Sequence, residues 1–274
     1  MTAPTAALAL ASSSQRRKKK GGLGSRVLRV AVTWVVSLVV GVAIWWLLSM
    51  WLGANVMPSP WATVQALGDL IHRGTLFTSI GASLQRILSG WAIGLVVGTP
   101  IGILMGRVRI IRNFLDPYVE ILRFIPAIAL VTVMVVWFGI GETSKIALIV
   151  YTSIFVVVIS TTDATMRISN DKVLAARSLG ANGVQVLWTV VLPSAVPGIV
   201  TGARLAMANS FLTIVSAEMV AARSGLGTLI WTSYTFGRID WIFAGIVTLG
   251  VLGFLCDRIL RILAGTLLSR YGVR

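Results

Sequence analysis

Residues 27–52 read VLRVAVTWVVSLVVGVAIWWLLSMWL, an apolar run whose only charged side chain is Arg29. About 20 apolar residues in a helix suffice to cross the hydrocarbon layer of a bilayer, so this stretch predicts a transmembrane helix. The apolar core of a secretory signal peptide is only about 7–15 residues long. We therefore interpret the run as a retained membrane anchor, which places the chain among the membrane proteins.

The remainder of the chain has the same character. Of the 274 residues, 56% are hydrophobic and 12% are charged, whereas soluble proteins carry about 25% charged residues. The apolar runs are continuous rather than alternating, which favours helices over a β-barrel. We predict an all-α polytopic membrane protein with six transmembrane helices, at residues 27–52, 84–105, 119–138, 145–162, 196–219 and 241–263.

The positive charges predict how the helices are oriented. Lys and Arg cluster before the first predicted span, after the second, after the fourth and after the sixth, and the net charge is +15. Basic connections favour the cytoplasmic side, so both termini are expected there. Residues 1–25 are predicted to be a flexible basic cytoplasmic tail and residues 26–274 a transmembrane domain. Because the charges lie between apolar runs, we expect contact with membrane lipid and no nucleic-acid partner.

Two local patterns predict packing outside and inside the membrane. Ser59 precedes Pro60, a residue suited to the first turn of a helix, and residues 61–73 have amphipathic spacing, so we expect an outer surface helix there. Small residues at four-residue spacing let membrane helices approach closely. The second span has this spacing at Gly94, Gly98 and Gly102.

The connection at residues 166–193, MRISNDKVLAARSLGANGVQVLWTVVLP, is too polar at its start to cross a membrane. Asn170 or Asp171 can cap a helix start, and the glycines at 180 and 183 predict a bend. A second short helix is expected from Val184, with Pro193 ending the element. A short helix with small side chains can insert into a groove on a partner, and an ordinary loop helix is the alternative.

The same segment resembles the cytoplasmic signature of binding-protein-dependent ABC import permeases. That signature reads Glu-Ala-Ala, three residues, Gly, nine residues, Ile, one residue, Leu-Pro. The spacing is kept here by Leu174-Ala175-Ala176, Gly180, Val190 and Leu192-Pro193. Leu174 replaces the glutamate and removes any ion pair that it would make with an ATPase. Residues 122–146, 197–206 and 224–231 resemble the nitrate/sulfonate/taurine branch of these permeases.

The resemblance implies a type I ABC importer permease fold with a cytoplasmic coupling helix at about residues 170–183, in a prokaryotic plasma membrane. It implies three kinds of protein partner: a cytoplasmic ABC ATPase dimer, an extracytoplasmic solute-binding protein and a second permease chain. A homodimer is the simplest arrangement, and a heterodimer stays open. The implied substrate is a small anion or small nitrogen or sulfur compound, such as nitrate, a sulfonate or taurine. The implied ATPase-docking residues are Ala175, Ala176, Arg177, Gly180 and Ala181.

Polar side chains in the fifth predicted span are candidates for the translocation path. Arg204 can attract an anion, snorkel or pair with a carboxylate. Asn209, Ser210 and Thr213 can line a path or hydrogen-bond across helices. Glu218 can form an outer gate, contact the binding protein or be a surface carboxylate.

The chain lacks the residues that catalysis would need. One His and one Cys argue against a metal site, and no G-x-x-x-x-G-K-[ST] phosphate loop occurs. We therefore expect no catalytic residues, no metal and no cofactor in this chain, with ATP hydrolysis in a separate chain. An ion-gradient-driven secondary transporter is the alternative function, and it would need paired broken helices and acidic relays within the membrane.

Overall fold

The computed structural model describes residues 23–271 and folds them almost entirely into helices, with no strand in that range. Residues 1–22 of the predicted tail at 1–25 therefore lie outside the described residues. The helices are α1 (Leu23–Leu52), α2 (Pro60–His72), α3 (Thr75–Arg107), α4 (Arg109–Leu122), α5 (Ala127–Phe138), α6 (Glu142–Met166), α7 (Asn170–Ser178), α8 (Gly183–Val186), α9 (Leu192–Ala221), α10 (Leu226–Thr235) and α11 (Ile239–Leu267).

Five helical segments are long and apolar enough to cross a membrane: α1, α3, α6, α11 and the segment Gly183–Val220. A sixth span requires α4 and α5 together, and these two helices are bent by 103° at their junction. The sixth span is therefore a broken one, and the predicted helix at 119–138 is interrupted between residues 122 and 127. Pro126 has extended backbone angles, φ −61° and ψ 136°. Proline lacks an N–H and disfavours a helical residue before it, which accounts for the break.

The centre of the bundle is α6, which lies between α3 and α9. Along α3, glycines at four-residue spacing face α6, from Gly90 opposite Ile149 to Gly106 opposite Thr165, so these two helices run parallel. A Cβ added at Gly102 would lie 2.6 Å from Cβ of Thr161, closer than ordinary carbon contacts of about 3.5–4.0 Å. The predicted glycine face is confirmed, and it extends one turn further in each direction.

The helix directions separate two ends of the bundle. α2 and α10 lie at one end, which we call the outer end after the predicted orientation, and α7 and α8 lie at the inner end. α2 begins as predicted, because Oγ of Ser59 accepts a hydrogen bond from N of Ala62 at 3.2 Å. At the same end, Trp45 donates to the carbonyl of Pro58 at 3.0 Å and stacks on Phe243 of α11.

The helix after the glycine bend does not stop at Pro193, contrary to the prediction. α8 continues through a π-helical turn, Leu187–Val191, directly into α9, where Pro193 lies in the first turn. N of Leu192 donates to the carbonyl of Leu187, the i to i−5 bond of a π turn. Proline has no N–H to donate, and the π turn directly before it already interrupts the regular i to i−4 bonding at that point. One helix therefore runs from the inner end deep into the membrane region.

Candidate functional site

The polar connection at the inner end folds into two short helices, α7 and α8, which we call the α7–α8 element. α7 is capped by Ser169, whose Oγ accepts from N of Asp171 at 3.2 Å. Asn170 and Asp171, the predicted caps, are instead the first two residues of the helix. The extended backbone of Ser169 brings its hydroxyl within reach of the first-turn N–H groups, so this correction moves the helix start by one residue.

The bend between α7 and α8 is held by paired hydrogen bonds. Gly180 has φ +86°, a conformation that suits glycine because it has no Cβ. N of Gly180 donates to the carbonyl of Arg177 at 2.9 Å, and N of Ala181 donates to the carbonyl of Ala176 at 3.0 Å. These two bonds form a Schellman motif, which satisfies carbonyls at the end of a helix.

α8 then starts with a capping box. Oδ1 of Asn182 accepts from N of Gln185 at 2.9 Å, and Oε1 of Gln185 accepts from N of Asn182 at 2.8 Å. Both orphan donors of the helix start are satisfied reciprocally. With one motif ending α7 and the next beginning α8, the α7–α8 element is a rigid angle rather than a flexible loop.

The predicted docking residues divide between two faces of this element. Ala176 and Ala181 are partly buried and pack against a cluster that includes Val173 and Val186. Ala175, Arg177 and Gly180 are exposed. The two alanines therefore seat the element on the membrane helices, while the other three predicted residues face outward.

Exposed apolar side chains surround the outward face. Leu174, Leu179 and Val184 have 57%, 89% and 65% of their surface exposed, and we call them the inner apolar patch. Apolar groups that are left exposed together on a polar element typically mark an interaction surface. Leu174, at the position where the signature has glutamate, makes this patch apolar at that point.

A cleft of about 540 Å³ opens beside the break between α4 and α5. Asn209 and Thr213 of α9 line it, together with Thr152 of α6 and Arg123 at the break. Nδ2 of Asn209 donates to the carbonyl of Thr152 at 3.0 Å, and Oγ1 of Thr213 lies 3.0 Å from Oγ1 of Thr152. The phenol of Tyr151 donates to the carbonyl of Leu122 at 2.5 Å. A few polar groups thus lie in the wall of a mostly apolar cleft.

Two other candidate path residues lie in helix contacts. Ser210 is fully buried, with its Oγ 2.9 Å from Oγ of Ser153 on α6. Arg204 forms a two-pronged ion pair with Asp257 of α11, at 2.8 Å from Nε to Oδ1 and 3.1 Å from Nη2 to Oδ2. Of the three alternatives for Arg204, pairing with a carboxylate is the one that the structure shows. Ser210 and Arg204 therefore each connect α9 to a neighbouring helix.

Glu218 belongs to a group of four charges at the outer end, of which Glu142 alone is exposed. Glu218 is 1% exposed, which excludes the surface carboxylate among the three alternatives. Its Oε1 accepts from Nη1 of Arg86 at 2.6 Å, and its Oε2 accepts from N of Gly227 at 2.8 Å. Arg86 also donates from Nε to Oε2 of Glu142 at 2.5 Å, and Nζ of Lys145 donates to Oε1 of Glu142 at 2.9 Å.

We call Arg86, Glu142, Lys145 and Glu218 the outer ion network. Two cations and two carboxylates balance, which is the arrangement that charges within a membrane protein require. The network joins α3, α6 and α9 and fastens the turn before α10, since Arg86 also donates to the carbonyl of Ser224 at 2.6 Å. The sequence reasoning missed it, although an arginine inside a span is itself a signal for a buried carboxylate partner.

No cluster of His, Cys, Asp or Glu suited to a metal occurs within residues 23–271. The described residues form rigid connections between helices. The exposed α7–α8 element at the inner end continues as one helix into α9, which lines the cleft. The outer ion network joins the outer end of α9 to α3 and α6.

Comparison with known proteins places the chain among transporters. The family model for the inner membrane component of binding-protein-dependent transport systems matches residues 98–268. The chain is 40% identical over 199 residues to the taurine transport system permease protein TauC of Escherichia coli, covering 72% of each chain. It is 34% identical over 260 residues to the nitrate import permease protein NrtB of Synechocystis, covering 90% of this chain and 93% of the relative.

A solved structure shows the same fold. The chain resembles inward facing conformations of the MetNI methionine ABC transporter, with a TM-score of 0.60 and 22% identity, covering 72% of this chain and 96% of that chain.

Proposed function

Because the chain belongs to the inner membrane components of binding-protein-dependent transport systems, as an ABC importer permease of the taurine, sulfonate and nitrate type, we propose that it lines half of a substrate path and couples that path to a separate ATPase. The fold is that of the type I importers, and the chain is a transport component of the inner membrane rather than an enzyme. Energy then comes from a partner chain, and this chain needs no cofactor of its own.

The cleft between α6, α9 and the break at Arg123 is the proposed half-path. It is open at the side of one chain, so a second permease chain is needed to enclose it, and a homodimer is the simplest partner. Asn209 and Thr213 offer hydrogen bonds, and the guanidinium of Arg123 suits a negative group. The proposed substrate is a small anion or a small nitrogen or sulfur compound, such as nitrate, a sulfonate or taurine, delivered by a binding protein.

The α7–α8 element is the proposed coupling point. The observation that carries the proposal is its inner apolar patch, held on a doubly capped and therefore rigid support. Leu174, Leu179 and Val184 can fill an apolar groove on a cytoplasmic ATPase, and burial of apolar surface supplies the affinity. The predicted orientation, with both termini on the cytoplasmic side, turns the element towards that ATPase.

The continuous helix from α8 into α9 transmits the movement. When ATP binding closes the ATPase pair, the docked element moves, and the π turn joins that motion to the helix that carries Asn209 and Thr213. The half-path then faces outward to receive substrate, and hydrolysis returns it inward.

Leu179→Glu tests the coupling proposal. Leu179 is 89% exposed, so a charge there leaves the fold intact but is buried uncompensated in a complex, which is costly. We expect normal membrane insertion, loss of ATPase co-purification and loss of ATP-driven uptake in proteoliposomes. Gly180→Glu is a weaker test, because any side chain at φ +86° also strains the bend.

Ile140→Glu is the matched control. Ile140 is 83% exposed and lies between α5 and α6 at the outer end, so the same substitution there should keep the ATPase bound. Retention of the ATPase by Leu179→Glu would contradict docking through this element. The alternative, an ion-gradient-driven transporter, would be favoured by uptake that needs no ATPase but collapses with the proton or sodium gradient.

A further inference from the structure

A second cavity, of about 650 Å³, lies at the outer end between the turn joining α2 to α3, helix α10 and the start of α11. We call it the outer cavity. It shares no lining residue with the cleft beside α9. The residues of interest in its wall are Arg73, Arg223, Ser233, Arg238 and Trp241.

Positive charge is in excess around this cavity. Arg73, Arg223 and Arg238 are all exposed at its rim. Arg238 pairs with Asp240, at 2.8 Å from Nη2 to Oδ2, and this hydrogen bond raises the pKa of Arg238 above its ordinary value. Within residues 23–271, Arg73 and Arg223 have no carboxylate oxygen within 4.0 Å. Among the described residues, Arg73 and Arg223 thus have no direct ion pair, and Asp69 acts on Arg238 only through space.

Hydrogen-bond donors are also in excess. Ser233 is 3% exposed, and its hydroxyl has no hydrogen-bond partner in the described part of the chain. The same holds for the buried Nε1–H of Trp241. Buried polar groups are almost always satisfied by a protein, solvent or ligand partner, so two orphans in one wall point to a missing acceptor.

The guanidinium groups are arranged around one ring. Those of Arg73 and Arg238 lie 5.4 Å and 4.4 Å from the ring centroid of Trp241, which holds them at the cavity by cation–π attraction. The first turn of α3 begins beside them at Gly74, which supplies no side-chain cap. Uncapped N–H groups at a helix start attract anions, and they add to the charges of the arginines.

From this geometry we propose that the outer cavity binds an oxyanion, with the chemistry of a phosphate or sulfate group. Guanidinium forks match such groups geometrically, and the unpartnered donors of Ser233 and Trp241 belong to residues of the same wall. The oxyanion can be free in solution or belong to a phospholipid headgroup. The site is separate from the proposed substrate path, and its existence does not depend on the transport proposal.

Calorimetric titration of the full chain in maltoside micelles tests the free-anion source. Sodium sulfate is titrated at constant ionic strength, with sodium chloride as the reference salt. We expect one sulfate per chain, and a loss of affinity of about tenfold or more in Arg73→Gln and in Arg223→Gln, the size of a charge-assisted hydrogen bond. Arg109→Gln removes one exposed charge at the inner end and should leave the affinity unchanged.

Ser233→Ala separates a binding role from a structural one. Loss of an unpartnered buried hydroxyl should leave thermal stability without sulfate unchanged or raised, while sulfate affinity falls. A variant that is destabilised without sulfate, and unchanged in sulfate affinity, would count against the proposal.

The lipid source is tested in nanodiscs that contain phosphatidylglycerol. If a headgroup occupies the cavity, sulfate binding disappears there, and native mass spectrometry finds retained phosphatidylglycerol on the unmodified chain and less on Arg73→Gln. If sulfate affinity is the same as in micelles, the occupant is a free anion. Both results support an oxyanion site. Chloride binding as tight as sulfate, equal effects of Arg73→Gln and Arg109→Gln, or neither sulfate heat nor retained lipid would overturn it.

Discussion

Replacing Gly102 by alanine should destabilise the helix bundle, whereas replacing Gly81 on the same helix should not. The added Cβ at Gly102 would lie 2.6 Å from Cβ of Thr161 and 2.8 Å from the carbonyl oxygen of Val158. Relative to an ordinary contact of about 3.5 Å, α3 and α6 must separate by roughly 0.9 Å. A Cβ at Gly81 would meet nothing within 4 Å.

These distances give opposite signs for the two substitutions. Overpacking costs about 3 kcal/mol at the upper end of its usual range, which applies here because the carbonyl of Val158 cannot rotate away. Alanine recovers about 1 kcal/mol through its higher helix propensity. The expected net loss is therefore about 2 kcal/mol for Gly102→Ala, against a gain of up to about 1 kcal/mol for Gly81→Ala.

The free energy of unfolding can be measured by titrating the chain in maltoside micelles with dodecyl sulfate and following tryptophan fluorescence. Both variants are helix-interior substitutions of the same kind, so effects of micelle and detergent cancel between them. A Gly102→Ala variant as stable as the unmodified chain, or two variants shifted in the same direction, would refute the claim that the glycines serve close packing.

Three further substitutions should lower the free energy of unfolding by different amounts. Glu218→Gln should lower the free energy of unfolding by about 3 kcal/mol or more, because Arg86 is left buried without its full counter-charge; the same dodecyl sulfate titration measures it. Arg204→Gln should cost less than Glu218→Gln in that assay, because its pair with Asp257 is only partly buried and Arg261 stays 3.4 Å from the same carboxylate. Asn182→Ala should cost about 1 kcal/mol by removing the capping box, and it should speed hydrogen exchange in the α7–α8 element while leaving α6 protected.

The ranking of these effects is the decisive outcome. If Arg204→Gln proves as damaging as Glu218→Gln, burial is not what sets the energy of these ion pairs. If Asn182→Ala leaves amide exchange at residues 179–186 unchanged, the rigidity of the element does not depend on its capping box.

Local signals in the sequence predicted several parts of the structure well. Ser59 and Pro60 mark the start of α2, since capping depends on neighbours only three residues apart. The spacing of Gly94, Gly98 and Gly102 identified the contact face of α3, although nothing in that spacing showed that α6 is the partner. The signature around Ala175 and Gly180 indicated the family, which the comparisons then confirmed.

Other features were not predicted from the sequence because they depend on residues far apart in the chain. Arg86 and Glu218 are separated by 132 positions, and no pattern within either span shows that the two meet. The break at Pro126 had a local cause, but apolar composition alone favoured an uninterrupted span. The continuity of α8 with α9 past Pro193 also escaped, because a proline inside a helical pattern usually indicates a boundary.

The sequence by itself determined that this chain is a membrane protein, that its regular structure is helical and that a short polar element bends at Gly180. These properties follow from hydropathy, backbone sterics and hydrogen bonds between near neighbours, which short stretches of chain already contain. Only the tertiary structure decided which polar side chains face the cleft, which ones pair neighbouring helices, and that Arg73 and Arg238 meet at the ring of Trp241. Those outcomes depend on how helices rotate and dock against one another, and in lipid that docking is governed by side-chain fit between distant segments rather than by hydrophobic pattern.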